Sequence, residues 1–286
     1  MLAMLGCCSS LKFSRAAAPY QPPTPEFKQP IKLALVLGGG GAKGFAHLGV
    51  IEELEKAGIK PDLIVGCSAG AIVGSFYALE PNATKLKAKL LSSKKSDILV
   101  MSPSVWPFGL YADHRMQEYF LNNLSSHNFS QTKIPFVVVA TNLEFGTVTV
   151  FGVGDMIKPI MASAAYPGGL PPVLIHGQYF VDGGVTEPVP VQVAKQFGAK
   201  TIVAVNIAGR LPETSPNHLL GVVKRSLEIA YIHQSKISAE GADVVIDFAF
   251  KPIDTFSDAH NEELYEAGKI AARKAIPSIK EHLQKS

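Results

Sequence analysis

Three short stretches carry residue types and spacings that chemistry can use. The first is Gly66-Cys67-Ser68-Ala69-Gly70, which joins the apolar run Leu63-Ile64-Val65 to a second apolar run beginning Ala71-Ile72-Val73. A serine hydroxyl is a weak nucleophile until a base takes its proton. A G-x-S-x-G segment on a strand-to-helix turn exposes that hydroxyl at a helix start, where developing negative charge is favoured. The second stretch, Gly38 to Gly44 (GGGGAKG), follows the run Leu33–Leu37. Glycines there let successive backbone N–H groups turn outward beside a helix N-terminus and form a site for an anion. The third is Tyr179-Phe180-Val181-Asp182-Gly183-Gly184. Asp182 is the strongest candidate base, because two glycines after it let the backbone bring the carboxylate close to another loop; an Asx-type turn is the structural alternative.

Rival readings of the same residues remain open at this point. Gly39-x-Gly41-x-x-Gly44 also matches a dinucleotide fingerprint, which would make the chain a nucleotide-binding module without catalysis. Against it, Asp62 begins the second apolar run instead of ending it, where a ribose-binding acid belongs. A P-loop is excluded because no Ser or Thr follows Lys43. A Ser-His-Asp hydrolase would need one of the histidines after Asp182, namely His218, His233, His260 or His282, and would enlist His260. His47 reads as structural, Cys67 as a small core residue and Lys43 as a prop for the glycine turn.

GGGGAKG, GCSAG, ASAAYPGGLPPV (162–173) and DGG, in this order, resemble the patatin-like phospholipase family, particularly its compact bacterial members, over about residues 31 to 283. The resemblance implies Ser68 as nucleophile, Asp182 as the sole base of a Ser-Asp dyad, and the N–H groups of Gly39, Gly40 and Gly41 as the oxyanion hole. Gly44, Gly66, Gly70, Gly183 and Gly184 complete the motifs. It further implies a three-layer α/β/α sandwich and hydrolysis of lipid or lysophospholipid acyl esters through an acyl-enzyme, with no cofactor or metal. Met161 stands where many members carry an arginine, and Glu187 where an asparagine is frequent; both bear on substrate details more than on the dyad. A lipid-binding relative with acyl transfer but little hydrolysis is a further variant.

The elements that must hold these residues can be read from periodicity. Short β-rich runs at 33–37, 63–66, 135–140, 147–151, 201–207 and 243–250 alternate with helical patterns, including one with Leu48, Ile51, Leu54 and Ala57 on one face, one near 189–197, and longer ones within 216–241 and 258–283. Alternation of this kind predicts an α/β fold with a mostly parallel, buried sheet. The 135–140 and 147–151 runs read as a hairpin. Residues 84–133 break the alternation, and Trp106 with Phe108, Leu110 and Tyr111 reads as a lid or lipid-facing wall, or else as aromatics packed inward on capping helices.

With 286 residues, 47% of them hydrophobic, one domain over 31–286 is expected, preceded by a flexible tail at 1–30 with five prolines between Pro19 and Pro30. The 17 uncharged residues from Leu63 to Leu79 approach membrane-spanning length, but the glycines around Ser68 favour strand, turn and helix. A net charge of +3, without a basic run, gives no nucleic-acid surface. Cys7, Cys8 and Cys67 make neither a disulfide framework nor a metal site. The expected setting is cytoplasmic or membrane-associated, with peripheral membrane contact and with acylation of Cys7 as a candidate anchor.

Overall fold

The computed structural model describes residues 11–285 except 212, 214, 249, 251, 252, 254–256 and 258. Cys7 and Cys8, and with them the candidate anchor, lie outside the described residues.

The chain begins its regular structure with β1 (Leu33–Leu37), α1 (Phe45–Lys56), β2 (Leu63–Cys67) and α2 (Ala69–Leu79). A peripheral segment follows, made of α3 (Ala83–Ser92), α4 (Lys95–Ile98), the two-residue strands β3 (Val100–Met101) and β4 (Tyr111–Ala112), and α5 (Asp113–Asn123). Then come β5 (Phe136–Asn142), β6 (Val148–Phe151), α6 (Ile157–Ser163), β7 (Val173–Ile175), β8 (Gln178–Asp182) and α7 (Val191–Gln196). The last elements are β9 (Thr201–Asn206), α8 (Leu219–Ala239), β10 (Val244–Asp247) and α9 (Asn261–Lys285).

β10, β9, β1, β2 and β5 lie side by side in parallel. β6 joins β5 antiparallel, as the hairpin reading expects. The central strands are continuous apolar runs because both of their faces are covered. In β1, Leu33, Leu35 and Leu37 join one core with α1, α2 and α9, whereas Ala34 and Val36 join a second core with α7 and the end of α8. Val203 and Val205 of β9 divide from Ile202 and Ala204 in the same way. Alternation along each strand therefore feeds two helical layers, giving the α/β/α sandwich with a mostly parallel sheet.

One feature of the register positions the site. β2 pairs with the first part of β5, ending at Cys67 opposite Val139. β8 pairs antiparallel with the last part, beginning with Asp182 opposite Ala140. Because β6 pairs with Val138–Thr141 of β5 and so overlaps both stretches from the other edge, β2 and β8 share one edge and meet nearly end to end. The residue after Cys67 is Ser68, so the strand ends bring Ser68 and Asp182 together.

The segment before β1 contains no helix or strand among its described residues, in keeping with its prolines, yet it is docked. Tyr20 N–H donates to Gln178 Oε1 at 2.7 Å, and Gln178 Nε2 donates to the Ala18 carbonyl at 3.1 Å. Tyr20 stacks on His176 and Phe27 packs edge-on against Phe197. The expected flexible tether is thus, over these residues, a strap along the body.

Candidate active site

The glycines of GCSAG are set by close approach. A methyl on Gly70 would overlap the Leu37 carbonyl, and one on Gly66 would stand 2.6 Å from the Ala71 Cα. The helix can therefore start directly beneath the end of β1. The turn is sharp enough to hold Ser68 at φ 51°, ψ −120°, a conformation that costs energy in a non-glycine residue and belongs to nucleophile elbows. Ser163 clamps it: the Ser68 N–H donates to Ser163 Oγ at 2.8 Å, and that hydroxyl donates to the Val139 carbonyl at 2.6 Å.

Ser68 Oγ donates to Asp182 Oδ2 at 2.6 Å. The other carboxylate oxygen accepts from the Gly184 N–H at 2.7 Å, and the Asp182 N–H donates to the Ala165 carbonyl at 3.0 Å. Asp182 is buried. Burial raises its pKa from 3.8 to about 6, against the opposing hydrogen bonds from Ser68 and Gly184. A carboxylate tuned upward and already bonded to a serine hydroxyl suits general-base work.

Gly38 and Gly39 are engaged by neighbours: their N–H groups donate to the Val205 carbonyl at 3.0 Å and the Pro188 carbonyl at 2.9 Å. The Gly39 N–H is thereby withdrawn from the expected oxyanion trio in this geometry. Gly40 and Gly41 line the cavity that Ser68 and Asp182 also line. Lys43 Nζ donates to the Ala208 carbonyl, tying the loop to the segment after β9, and burial lowers its pKa to about 8. Cys67 is buried, and burial pushes its thiol pKa well up, in keeping with a core residue.

The cavity has a volume of ≈ 240 Å³ and is walled mainly by apolar side chains, among them Phe45, Ile72, Leu90, Leu99 and Met116. Residues of the 84–133 segment thus do form a wall, but Trp106 is not among them and is 67% exposed.

No histidine lines the cavity among the described residues. His260 bonds Glu263 at 3.0 Å at the surface, and His218 caps α8 by accepting from the Gly221 N–H. His47 is buried, bonds the Gly38 carbonyl at 2.8 Å, and has its pKa lowered by burial to about 4. Asp62 accepts from the Lys32 and Leu33 N–H groups, so its carboxylate serves the β1–β2 junction and not a ribose. Among the described residues no group of His, Cys, Asp and Glu is arranged to hold a metal ion. Two residues at the site escape local sequence reading: Ser163, inside ASAAYPGG, and Tyr231, whose hydroxyl is buried beside the dyad.

An α/β sandwich that holds a strained serine against a buried aspartate defines the class of protein to which known families can be matched. A family model for patatin-like phospholipase matches residues 35–195. The chain belongs to the patatin-like phospholipase family. It is 32% identical over 189 residues to lysophospholipase NTE1 of Cryptococcus neoformans, a match covering 65% of this chain and 12% of that protein. It is 32% identical over 189 residues to human patatin-like phospholipase domain-containing protein 6, covering 62% of this chain and 13% of the relative. The chain therefore spans a small part of the length of these curated relatives. Among solved structures, VipD from Legionella pneumophila shares the fold, with a TM-score of 0.57 at 12% identity over 88% of this chain and 67% of that one.

Proposed function

We propose that the protein hydrolyses acyl ester bonds of phospholipids or lysophospholipids through a Ser68-Asp182 dyad and a serine-bound acyl intermediate. The observation that carries this reading is the 2.6 Å bond from Ser68 Oγ to Asp182 Oδ2 at the base of an apolar-walled cavity. Asp182 takes the serine proton as Oγ attacks the acyl carbonyl carbon. The N–H groups of Gly40 and Gly41 donate to the oxygen that becomes negative, each worth about 3 kcal/mol. Asp182 then passes its proton to the departing alcohol oxygen. In the second half, water gives a proton to Asp182 and its oxygen attacks the acyl-serine; the fatty acid leaves as the proton returns to Ser68.

The apolar walls suit an acyl chain, and Lys94, Lys95 and Arg210, which also line the cavity, suit the phosphate of a head group. Access from a lipid surface is supported by α8. Its Leu219 and Leu220 are 77% and 71% exposed, while Glu228, Tyr231 and Ile232 of the same helix line the cavity. No helix among the described residues is long and apolar enough to cross a membrane, so the contact in this reading is peripheral.

The test is a fluorophosphonate probe followed by mass mapping, together with release of free fatty acid from a lysophospholipid. Labelling of the peptide bearing Ser68, with both label and fatty-acid release lost in Ser68→Ala, is expected. Label on another residue, or persistence of activity in Ser68→Ala, contradicts the reading.

A further inference from the structure

The hydroxyl of Tyr231, on α8, is buried and has no hydrogen-bond partner among the described residues. A buried hydroxyl left unpaired costs stability, and this one lies against the dyad. A methyl on Gly39 would overlap the Tyr231 hydroxyl and stand 3.0 Å from Ser68 Cβ. The Tyr231 hydroxyl and the Ser68 Cβ therefore border the same small space that Gly39 leaves free of a side chain. A methyl on Gly184 would overlap the Cε2 edge of the Tyr231 ring and stand 3.0 Å from Asp182 Oδ1. Glycines from two separate motifs thus leave room for one tyrosine, which also lines the cavity. Burial, with Cys67, Asp182 and Tyr166 nearby, raises its pKa well above the ordinary value, so the phenol keeps its proton.

We propose that Tyr231 is a catalytic residue, its hydroxyl acting as the third donor of the oxyanion hole in place of the Gly39 N–H that Pro188 holds. The inference rests on Ser68 being the nucleophile. When Oγ bonds the acyl carbon, the carbonyl oxygen turns to the glycine-loop side, which the Tyr231 hydroxyl also occupies. The C=O electron pair moves onto oxygen, and the hydroxyl, without an acceptor until then, donates to it. As the alcohol leaves and the C=O bond re-forms, that bond weakens again, and the proton remains on Tyr231 throughout. A donor that finds its acceptor only in the transition state raises kcat and leaves KM nearly alone.

Tyr231→Phe removes the oxygen and keeps the ring between Gly39 and Gly184. The expected result on a soluble ester is a fall in kcat of roughly 10²-fold, the size seen when one oxyanion donor is lost, with KM near wild type. Phosphonylation of Ser68 slows in step, since the phosphonyl oxygen needs the same donors. The acid limb of the pH profile stays in place, because the bonds of Asp182 are untouched. The melting temperature holds or rises, since an unpaired hydroxyl has gone. Wild-type kcat in Tyr231→Phe overturns the proposal. So does a lower kcat accompanied by a lower melting temperature or a displaced acid limb, which assigns the hydroxyl to packing or to Asp182. Failure of the wild-type protein to label at Ser68 overturns the dyad reading and this inference together, whereas normal labelling with a silent Tyr231→Phe overturns this inference alone.

Discussion

In the proposed dyad, burial equips Asp182 as a base and at the same time sets it against the fold. With its pKa raised from 3.8 to about 6, the carboxyl group prefers to be protonated in the folded state. Its favourable contribution is complete below pH 3.8 and is lost as the pH rises through about 6, a difference of about 3 kcal/mol. Asp182→Asn, neutral at every pH, is therefore expected to melt above the wild type at pH 8, with the gap closing towards pH 4; calorimetry across that range checks it. The same group fixes the rate profile. The wild-type kcat/KM is expected to fall about tenfold per pH unit below about 6, where Asp182 can no longer accept the serine proton. Ser163 acts more remotely, holding the strained Ser68 backbone through its own bond to Val139. Ser163→Ala leaves the Ser68 N–H without that acceptor and is expected to cost about 1–3 kcal/mol in a denaturant titration.

At the scale of elements, the strap before β1 carries a prediction of its own. Replacing Tyr20 and Phe27 by alanine removes the stack on His176 and the contact with Phe197, and is expected to lower stability by about 1–3 kcal/mol. kcat on a soluble ester should be retained, since neither ring lines the cavity. Proline content shows that such a segment is extended but not what it lies against, which is why its docking was not legible in the sequence. The buried strands β1, β2, β5 and β9 were legible, because they are short continuous apolar runs, too short for helices. α5 was not, since DHRMQEYFLNN is largely polar and only Met116, Tyr119 and Phe120 are buried. The meeting of β2 and β8 on one edge of β5 joins residues 114 positions apart. No local pattern encodes it; motif order could suggest the pairing of Ser68 with Asp182, while only the register explains it. Tyr231 was hidden in the same way, because a tyrosine in a helical pattern reads as packing until its hydroxyl is seen beside Ser68.

For the whole molecule, α8 links an exposed apolar start, at Leu219 and Leu220, to the cavity wall that Glu228, Tyr231 and Ile232 help to form. Leu219 and Leu220, largely exposed, would each gain about 1.5–3 kcal/mol on full burial in lipid. The double variant Leu219→Ser, Leu220→Ser is expected to keep wild-type kcat/KM on a soluble ester. Its binding to phosphatidylcholine vesicles in a sedimentation assay, and its hydrolysis of lysophospholipid held in them, should both fall by roughly tenfold or more. Equal vesicle binding by variant and wild type would contradict a lipid contact through the start of α8.

The proposed dyad has Asp182, and no histidine, take the proton of Ser68. Its most direct test is kcat of Asp182→Asn and of His260→Ala on the same soluble ester, each with a native circular dichroism spectrum. The dyad predicts a loss of about 10² to 10⁴ in the first and wild-type turnover in the second. Loss of activity in His260→Ala, or an Asp182→Asn enzyme that turns over normally, would contradict it.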